Sequence, residues 1–393
     1  MMKEIVSTAL CCGCGVCKTV CPKSAIRMTF DHEGFVIPKI DASKCVDCGN
    51  CRQHCPVLNQ ESPQLPIDTV AGYAKDPELR RKGSSGGFFG VLASWVLESG
   101  GVVFGAAFDA DWELRHVGVE SPDELECLYG SKYFQSRADL CFDQLRKALE
   151  GGRKVLFCGT PCQVAAVRML LPEASRRELI TVDLFCHGVP NSAVWKKYLT
   201  ELLEKKGTSL DALEHYSFRD KETFGYFNFC TTFRVRGGKP EHVNDDSFML
   251  AFRDMALRRS CFKCSFKNLR SHSDFSIGDG WGIRRGEYVD DLRNGASVVL
   301  VNTERGQDIF ASLKERFCII TAGVPDFSAL KKCNPMVTSS VRKYRRRQYF
   351  FQSLEAGEEF EASARRWYKY RTLREKAVGA LRRVLVKIGM IDY

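Results

Sequence analysis

Two cysteine runs on one spacing constrain this chain more than any other feature. "CCGCGVCKTVCP" places Cys11, Cys14, Cys17 and Cys21 on C-x2-C-x2-C-x3-C ahead of Pro22, and "CVDCGNCRQHCP" repeats that spacing at Cys45, Cys48, Cys51 and Cys55 ahead of Pro56. The run is an iron–sulfur ligand spacing, and where it occurs twice the fourth cysteine of each run ligates the other cluster. The expected cages are therefore Cys11, Cys14 and Cys17 with Cys55, and Cys45, Cys48 and Cys51 with Cys21. Cys12 falls off the spacing, because a register starting there leaves one residue before Cys14, and it reads as a spare thiol. Two tetrahedral zinc sites satisfy the same ligand types, but the doubled spacing favours clusters. Between the runs, "RMTFDHEGFVIPKID" alternates on both sides of Glu33-Gly34, as a β-hairpin does.

Residues 1–60 thus read as a small α+β domain of the bacterial ferredoxin type with two 4Fe-4S clusters. The chain has 19 cysteines, an odd number that excludes complete internal pairing. Too few residues precede Cys11 to hold a signal peptide's apolar segment, and no run reaches the roughly 18 apolar residues of a membrane span. The expected compartment is the cytoplasm, where clustered thiols bind metal or do redox work rather than form disulfides.

Residues 61–70 carry two prolines among polar residues and read as a linker. Beyond them the texture changes. "TVAGYA" and "GGVVFGAAF" read as buried strands flanking the helix "GGFFGVLASWVLE"; "RKVLFCGTPCQVAAVRMLL" reads as strand, turn and helix; "ELITVDLFCHG" reads as a strand ending in a loop. Strands alternating with helices imply an α/β domain with a largely parallel sheet, whose ligands collect at the carboxyl ends of the strands. This domain is taken as 71–335, in halves of about 71–150 and 151–335.

Two constellations fall at such ends. Gly83-Ser84-Ser85-Gly86-Gly87 formally matches the G-x-S-x-G elbow of hydrolases, but that motif needs a strand before it and "KDPELRRKG" is not strand-like. A Gly/Ser loop opening a helix favours a phosphate instead, with Arg81 and Lys82 adding charge; a serine-capped helix is the plain alternative. No dinucleotide fingerprint or Walker loop is present. The second constellation is four thiols: Cys162 in "GTPCQ", Cys186 in "LFCHG", and Cys261 and Cys264 in "SCFKC". A third four-cysteine cluster is the economical reading. Cys127, Cys141, Cys158, Cys230, Cys318 and Cys333 read as small buried hydrophobes. Asp279 and His187 are acid/base candidates by position only, and His187 is a poor nucleophilic partner for its neighbour Cys186.

These segments in combination, with "GSKYFQS", "VLFCGTPCQVAAV", "VDLFCHGVP", "SCFKCSFKNLRSHSDFSIGDGWGI" and "SVVLVNTERG", resemble the coenzyme F420 hydrogenase/dehydrogenase beta-subunit family over about residues 1–345. The resemblance implies a flavin-binding α/β domain holding FAD beside an iron–sulfur cluster. It assigns Cys162, Cys186, Cys261 and Cys264 to that third cluster and places Ser85, Gly86, Gly87, Lys132 and Thr160 around the FAD. Members include subunits that reduce or oxidise the deazaflavin coenzyme and plant-type reductases of chlorophyll intermediates. The expected function is an oxidoreductase passing electrons from a soluble donor, such as ferredoxin or a reduced coenzyme, through clusters to FAD and on to an organic or deazaflavin-type substrate. The alternative is an electron-transfer subunit serving a partner enzyme.

Residues 336–393 read as a basic helical tail. From Ser340 onward, 14 Lys and Arg face 6 Asp and Glu, which is +8 of the chain's net +10. Trp367, Tyr370, Leu373, Ala377, Leu381, Val384 and Ile388 recur at helical spacing. The stripe either packs on the fold or meets an anionic membrane surface, with Trp367 and Tyr368 at the interface. Nucleic acid is the weakest partner, since no reading module accompanies the charge.

Overall fold

A computed structural model describes residues 4–243, 246–281, 294–323 and 327–369. The N-terminal segment is a hairpin, β1 (Ile26–Phe30) and β2 (Val36–Ile40), paired antiparallel from Ile26↔Ile40 to Phe30↔Val36. Its turn is tied by the Asp31 carboxylate, which accepts from the Glu33 and Phe35 amides at 2.9 Å. Two one-turn helices, Val16–Thr19 and Asn50–Gln53, carry the middle of each cysteine run.

The large domain is built on one eight-stranded sheet. Its parallel centre comprises β4 (Val102–Phe108), β6 (Val155–Gly159), β7 (Leu179–Leu184) and β11 (Phe275–Asp279). Along β4 and β6, Val102, Phe104, Val155 and Phe157 face one layer while Val103 and Leu156 face the other. This period-two division explains the near-continuous apolar runs, since both faces are covered. Helix Phe88–Glu98 covers one face; helices Phe142–Glu150 and Pro161–Leu170 cover the other.

The sheet is mixed rather than largely parallel. At one edge β5 (Leu114–Val119) returns antiparallel on β4; at the other, β12 (Ser297–Val301), β3 (Asp68–Ala74) and β13 (Phe317–Gly323) are added antiparallel to β11 in that order. Four of the seven pairings are antiparallel. The short connection from β4 to β5 permits only a hairpin. Although β3 precedes a helix and then β4, it pairs with β12 and β13, so the alternation along the chain misreports its neighbours.

A second core lies around a three-stranded antiparallel sheet of β8 (Leu213–Ser217), β9 (Thr231–Val235) and β10 (Glu241–Val243). Trp195, Phe218, Phe248 and Phe350 are its centre, and Phe360 and Ala364 join it. Helices Arg347–Glu355 and Phe360–Lys369, within the stretch read as a tail, are therefore part of the fold. Trp367 stacks on Tyr349 at 5.2 Å and donates its indole N–H to Ser353 Oγ at 2.7 Å. The remaining stripe positions, from Tyr370 onward, lie outside the described residues. Among the described residues no helix is long and apolar enough to cross a membrane.

The ferredoxin-like segment is packed into the large domain. Val16 is fully buried in the layer beneath helix Pro161–Leu170. Gly15 (φ 81°) lies so close to Asp139 that a Cβ would stand 2.4 Å from that residue's Cβ, leaving no room for another residue type. The hairpin turn inserts Glu33, 8% exposed, between Arg347 (2.6 Å) and Arg259 (2.7 Å). Burial raises the Glu33 carboxyl, but hydrogen bonds from the two arginines outweigh it and hold the group down to about 2.

Candidate functional site

The two cysteine runs wrap two small cavities, each of about 20 Å3. Cys11, Cys14, Cys17 and Cys55 line the first, with Cys12 at its wall. Cys21, Cys45, Cys48 and Cys51 line the second. The chain thus places the fourth thiol of each run beside the other run. The first cage is buried: Cys11, Cys17 and Cys55 are each 8% exposed. The second opens to solvent at Cys48. Burial, then the nearby Cys11 and Cys55, push the Cys17 thiol up to about 12, and burial raises Cys51 and Cys55. Thiols crowded and desolvated in this way ionise readily only beside a cation, which an iron–sulfur cluster supplies. The Gly13 amide at 3.4 Å from Cys11 Sγ and the Ala25 amide at 3.3 Å from Cys21 Sγ are the type of hydrogen bond that tunes cluster potential. No three His, Cys, Asp or Glu side chains among the described residues converge on a single-ion site.

A cavity of about 460 Å3 opens at the carboxyl ends of the parallel strands. Cys162, Cys186, Cys261 and Cys264 share its wall with Ser85, Gly87, Lys132 and Thr160. Cys162 follows Thr160, the N-cap of helix Pro161–Leu170, whose Oγ1 lies 3.2 Å from its sulfur. Cys186 follows β7, Cys261 lies within the 3-10 turn Arg259–Lys263, and Cys264 caps its end. Burial pushes Cys261 up to about 12 and also raises Cys186 and Cys264. Lys267, 8% exposed, stands beside these thiols and donates to the Cys186 carbonyl at 2.6 Å.

The Gly/Ser loop connects helix Pro77–Lys82 to helix Phe88–Glu98, so no strand precedes it and the hydrolase elbow is excluded. Gly87, rather than a serine, is the N-cap (φ 87°). Gly86 does not reach the cavity: its amide donates to Ser297 Oγ at 2.9 Å, and it is wedged against β3 and β12. Arg81 and Lys82 do not supply cavity charge either, being paired with Glu78, Glu222 and Glu126 on the surface. Lys132 donates to the Tyr129 carbonyl at 2.7 Å, and burial holds its ammonium down to about 8.

Asp279, at the end of β11, lines the cavity by joining Ser85 Oγ to Arg219 (2.9 Å). His187 also lines it, its Nε2 held at 2.6 Å from the Arg253 carbonyl and its ring shifted toward the neutral form by burial. Several lining residues carried no local sequence signal. Arg219, 9% exposed, lies 4.3 Å from the Phe229 ring centroid beside Trp281. His116 is stacked on Phe157, hydrogen-bonded to Ser136, and pushed down to about 4 by burial. Cys158, read as a buried hydrophobe, lines the cavity, and Cys127, read likewise, is exposed. Both differ because burial follows the packing of later segments rather than neighbouring residues.

Family models match in three consecutive pieces. The 4Fe-4S dicluster domain covers residues 10–59, and the coenzyme F420 hydrogenase/dehydrogenase beta subunit is matched by its N-terminal part over 69–139 and its C-terminal part over 152–326. The chain belongs to the coenzyme F420 hydrogenase/dehydrogenase beta-subunit family. It is 28% identical over 333 residues to a coenzyme F420-dependent sulfite reductase of Methanocaldococcus jannaschii, covering 78% of this chain and 46% of the relative. It is 25% identical over 194 residues to the F subunit of the F(420)H(2) dehydrogenase of Methanosarcina mazei, covering 47% of this chain and 55% of the relative. The chain therefore spans about half the length of these curated relatives. A chain of the F420-reducing NiFe hydrogenase complex of Methanosarcina barkeri aligns with a TM-score of 0.48 and 19% identity, over 71% of this chain and 91% of that one.

Proposed function

We propose that this beta-subunit family member is an iron–sulfur flavoprotein oxidoreductase that takes electrons from a soluble donor and reduces an organic or deazaflavin-type substrate. The observation that carries the reading is one cavity lined both by Cys162, Cys186, Cys261 and Cys264 and by Ser85, Gly87, Lys132 and Thr160. Clusters handle single electrons, and FAD, when bound, converts them to the pairs that organic substrates take. In this reading the twelve cysteines hold three clusters. Lys132 and the helix N-terminus after Thr160 hold the anionic part of the FAD. Arg219, fixed by Asp279, presents a cation beside Phe229 and Trp281 to a planar anionic ligand.

The test is anaerobic reconstitution with metal, flavin and spectroscopic analysis, then a screen of reduced F420, nicotinamides and ferredoxin. About twelve iron atoms and one extractable FAD per chain are expected. Iron near eight without flavin would overturn the reading. A second reading, an electron-transfer subunit without its own substrate, is favoured by the likeness to a protein that is itself a subunit, the F subunit of the F(420)H(2) dehydrogenase. It predicts both cofactors but no turnover of any small acceptor until a partner enzyme is added.

A further inference from the structure

Cys12, off the ligand spacing, lines both the buried first cage and the large cavity. Its thiol lies within hydrogen-bonding reach of the Cys14 and Cys162 thiols. The second cage shares no cysteine with the cavity. The backbone at this point is held across the domain seam from the cavity side. Arg258 Nε donates to the Cys11 carbonyl at 2.7 Å, Gln135 Nε2 donates to the Cys12 carbonyl at 2.9 Å, and Arg258 Nη1 joins the two clamps through Gln135 Oε1 at 3.0 Å. Arg258 also reaches the Val36 carbonyl of the hairpin at 2.7 Å and is itself 3% exposed. Gly13 (φ 69°) completes the seat, since a Cβ there would stand 2.8 Å from Arg258 Nη1.

We infer that the clamped Cys11–Cys12 dipeptide is the junction between the first cage and the cavity thiols, with Cys12 as its positioning residue, so that the ferredoxin-like segment communicates with the cavity through the first cage and not the second. The route runs from ligand Cys11 through one peptide to Cys12 and across a single thiol contact to Cys162. The inference rests on the assignment of clusters to both thiol groups. The transfer it serves moves one electron from the group held by Cys11, Cys14, Cys17 and Cys55, which is oxidised, to the group held by Cys162, Cys186, Cys261 and Cys264, which is reduced. No bond or proton changes place. Two side chains, Arg258 and Gln135, and a glycine spent on one dipeptide fix its distance and orientation, on which coupling between fixed centres depends.

The test uses the full reconstituted chain in wild-type, Cys12→Ala, Cys12→Ser and Gln135→Leu forms. Readouts are iron content, equilibrium EPR spectra and potentials, and the rate at which a substoichiometric pulse of reductant redistributes between the two thiol groups, followed by freeze-quench EPR. Iron and potentials should match wild type in Cys12→Ala while redistribution slows about tenfold, a barrier rise of about 1.4 kcal/mol. Cys12→Ser, which restores a polar atom at the contact, should recover part of the rate. Gln135→Leu leaves every thiol in place and should slow the rate by a smaller factor, so the inference stays testable even if Cys12→Ala loses iron. Wild-type redistribution in Cys12→Ala, or in Gln135→Leu where Cys12→Ala fails to load, overturns the inference alone. A wild-type chain lacking the third iron group overturns the cluster assignment and the inference with it.

Discussion

The cages of the N-terminal segment and the thiol group at the cavity use the same side chain in opposite ways. The first eight thiols come from two short runs: local chain geometry, a one-turn helix entered at Gly15 or Gly49, gathers three thiols of each run, and the fourth crosses to the other. The cavity thiols come from a helix N-terminus, a strand end and a 3-10 turn, and only the sheet makes them neighbours. A locally encoded site tolerates change elsewhere in the fold. A site assembled by tertiary structure is as sound as the packing that assembles it.

The sharpest way to break this comparison is to remove one thiol from each group. Cys17→Ala and Cys264→Ala should each lower iron by about four atoms per chain, from different groups. EPR of Cys264→Ala should retain the N-terminal signals, and EPR of Cys17→Ala should retain the cavity signal. If Cys264→Ala empties the N-terminal cages, the two sites are not independent.

A smaller effect is expected at the seam that joins the regions. Glu33→Gln leaves Arg347 and Arg259 without their carboxylate and should cost about 3 kcal/mol in anaerobic urea unfolding at neutral pH. The pH dependence follows from a carboxyl held at about 2 in the folded chain against an ordinary value near 4.5. Its contribution is complete above the ordinary value and is lost as pH falls from there toward 2. Equal stability of wild type and Glu33→Gln at neutral pH would show that the hairpin docks by apolar packing alone.

The smallest effect concerns the cavity. Lys132 is held down to about 8, so its ammonium is present at pH 7 and reduced to about a tenth at pH 9. Titration of the chain with FAD should show affinity falling as pH rises through 8, by less than about tenfold. Lys132→Met should bind more weakly at pH 7 and lose that slope. An unchanged slope in Lys132→Met would assign the dependence to another group.

How much was legible follows the same division. The thiol spacing of each run, the hairpin and the strand-turn-helix around "VLFCGTPCQVAAV" were readable because spacing and alternation act within a few residues. The mixed sheet was not, since β3 carries an apolar pattern that suits any buried strand and its partners β12 and β13 lie far along the chain. Arg219 and Arg258 look like ordinary charges until Asp279 and the Cys11 carbonyl are brought to them.

By itself, then, the sequence determined a doubled thiol array, an α/β domain following it, and four further cysteines at the ends of elements, because each is a matter of short-range geometry. Tertiary structure alone decided that Cys12 faces Cys162, that Gly86 packs away from the cavity, and that Glu33 locks the hairpin to Arg347. These are pairings between distant segments, fixed by how sheets and helices bury their apolar faces, and no local pattern in the chain encodes which distant residue a given side chain meets.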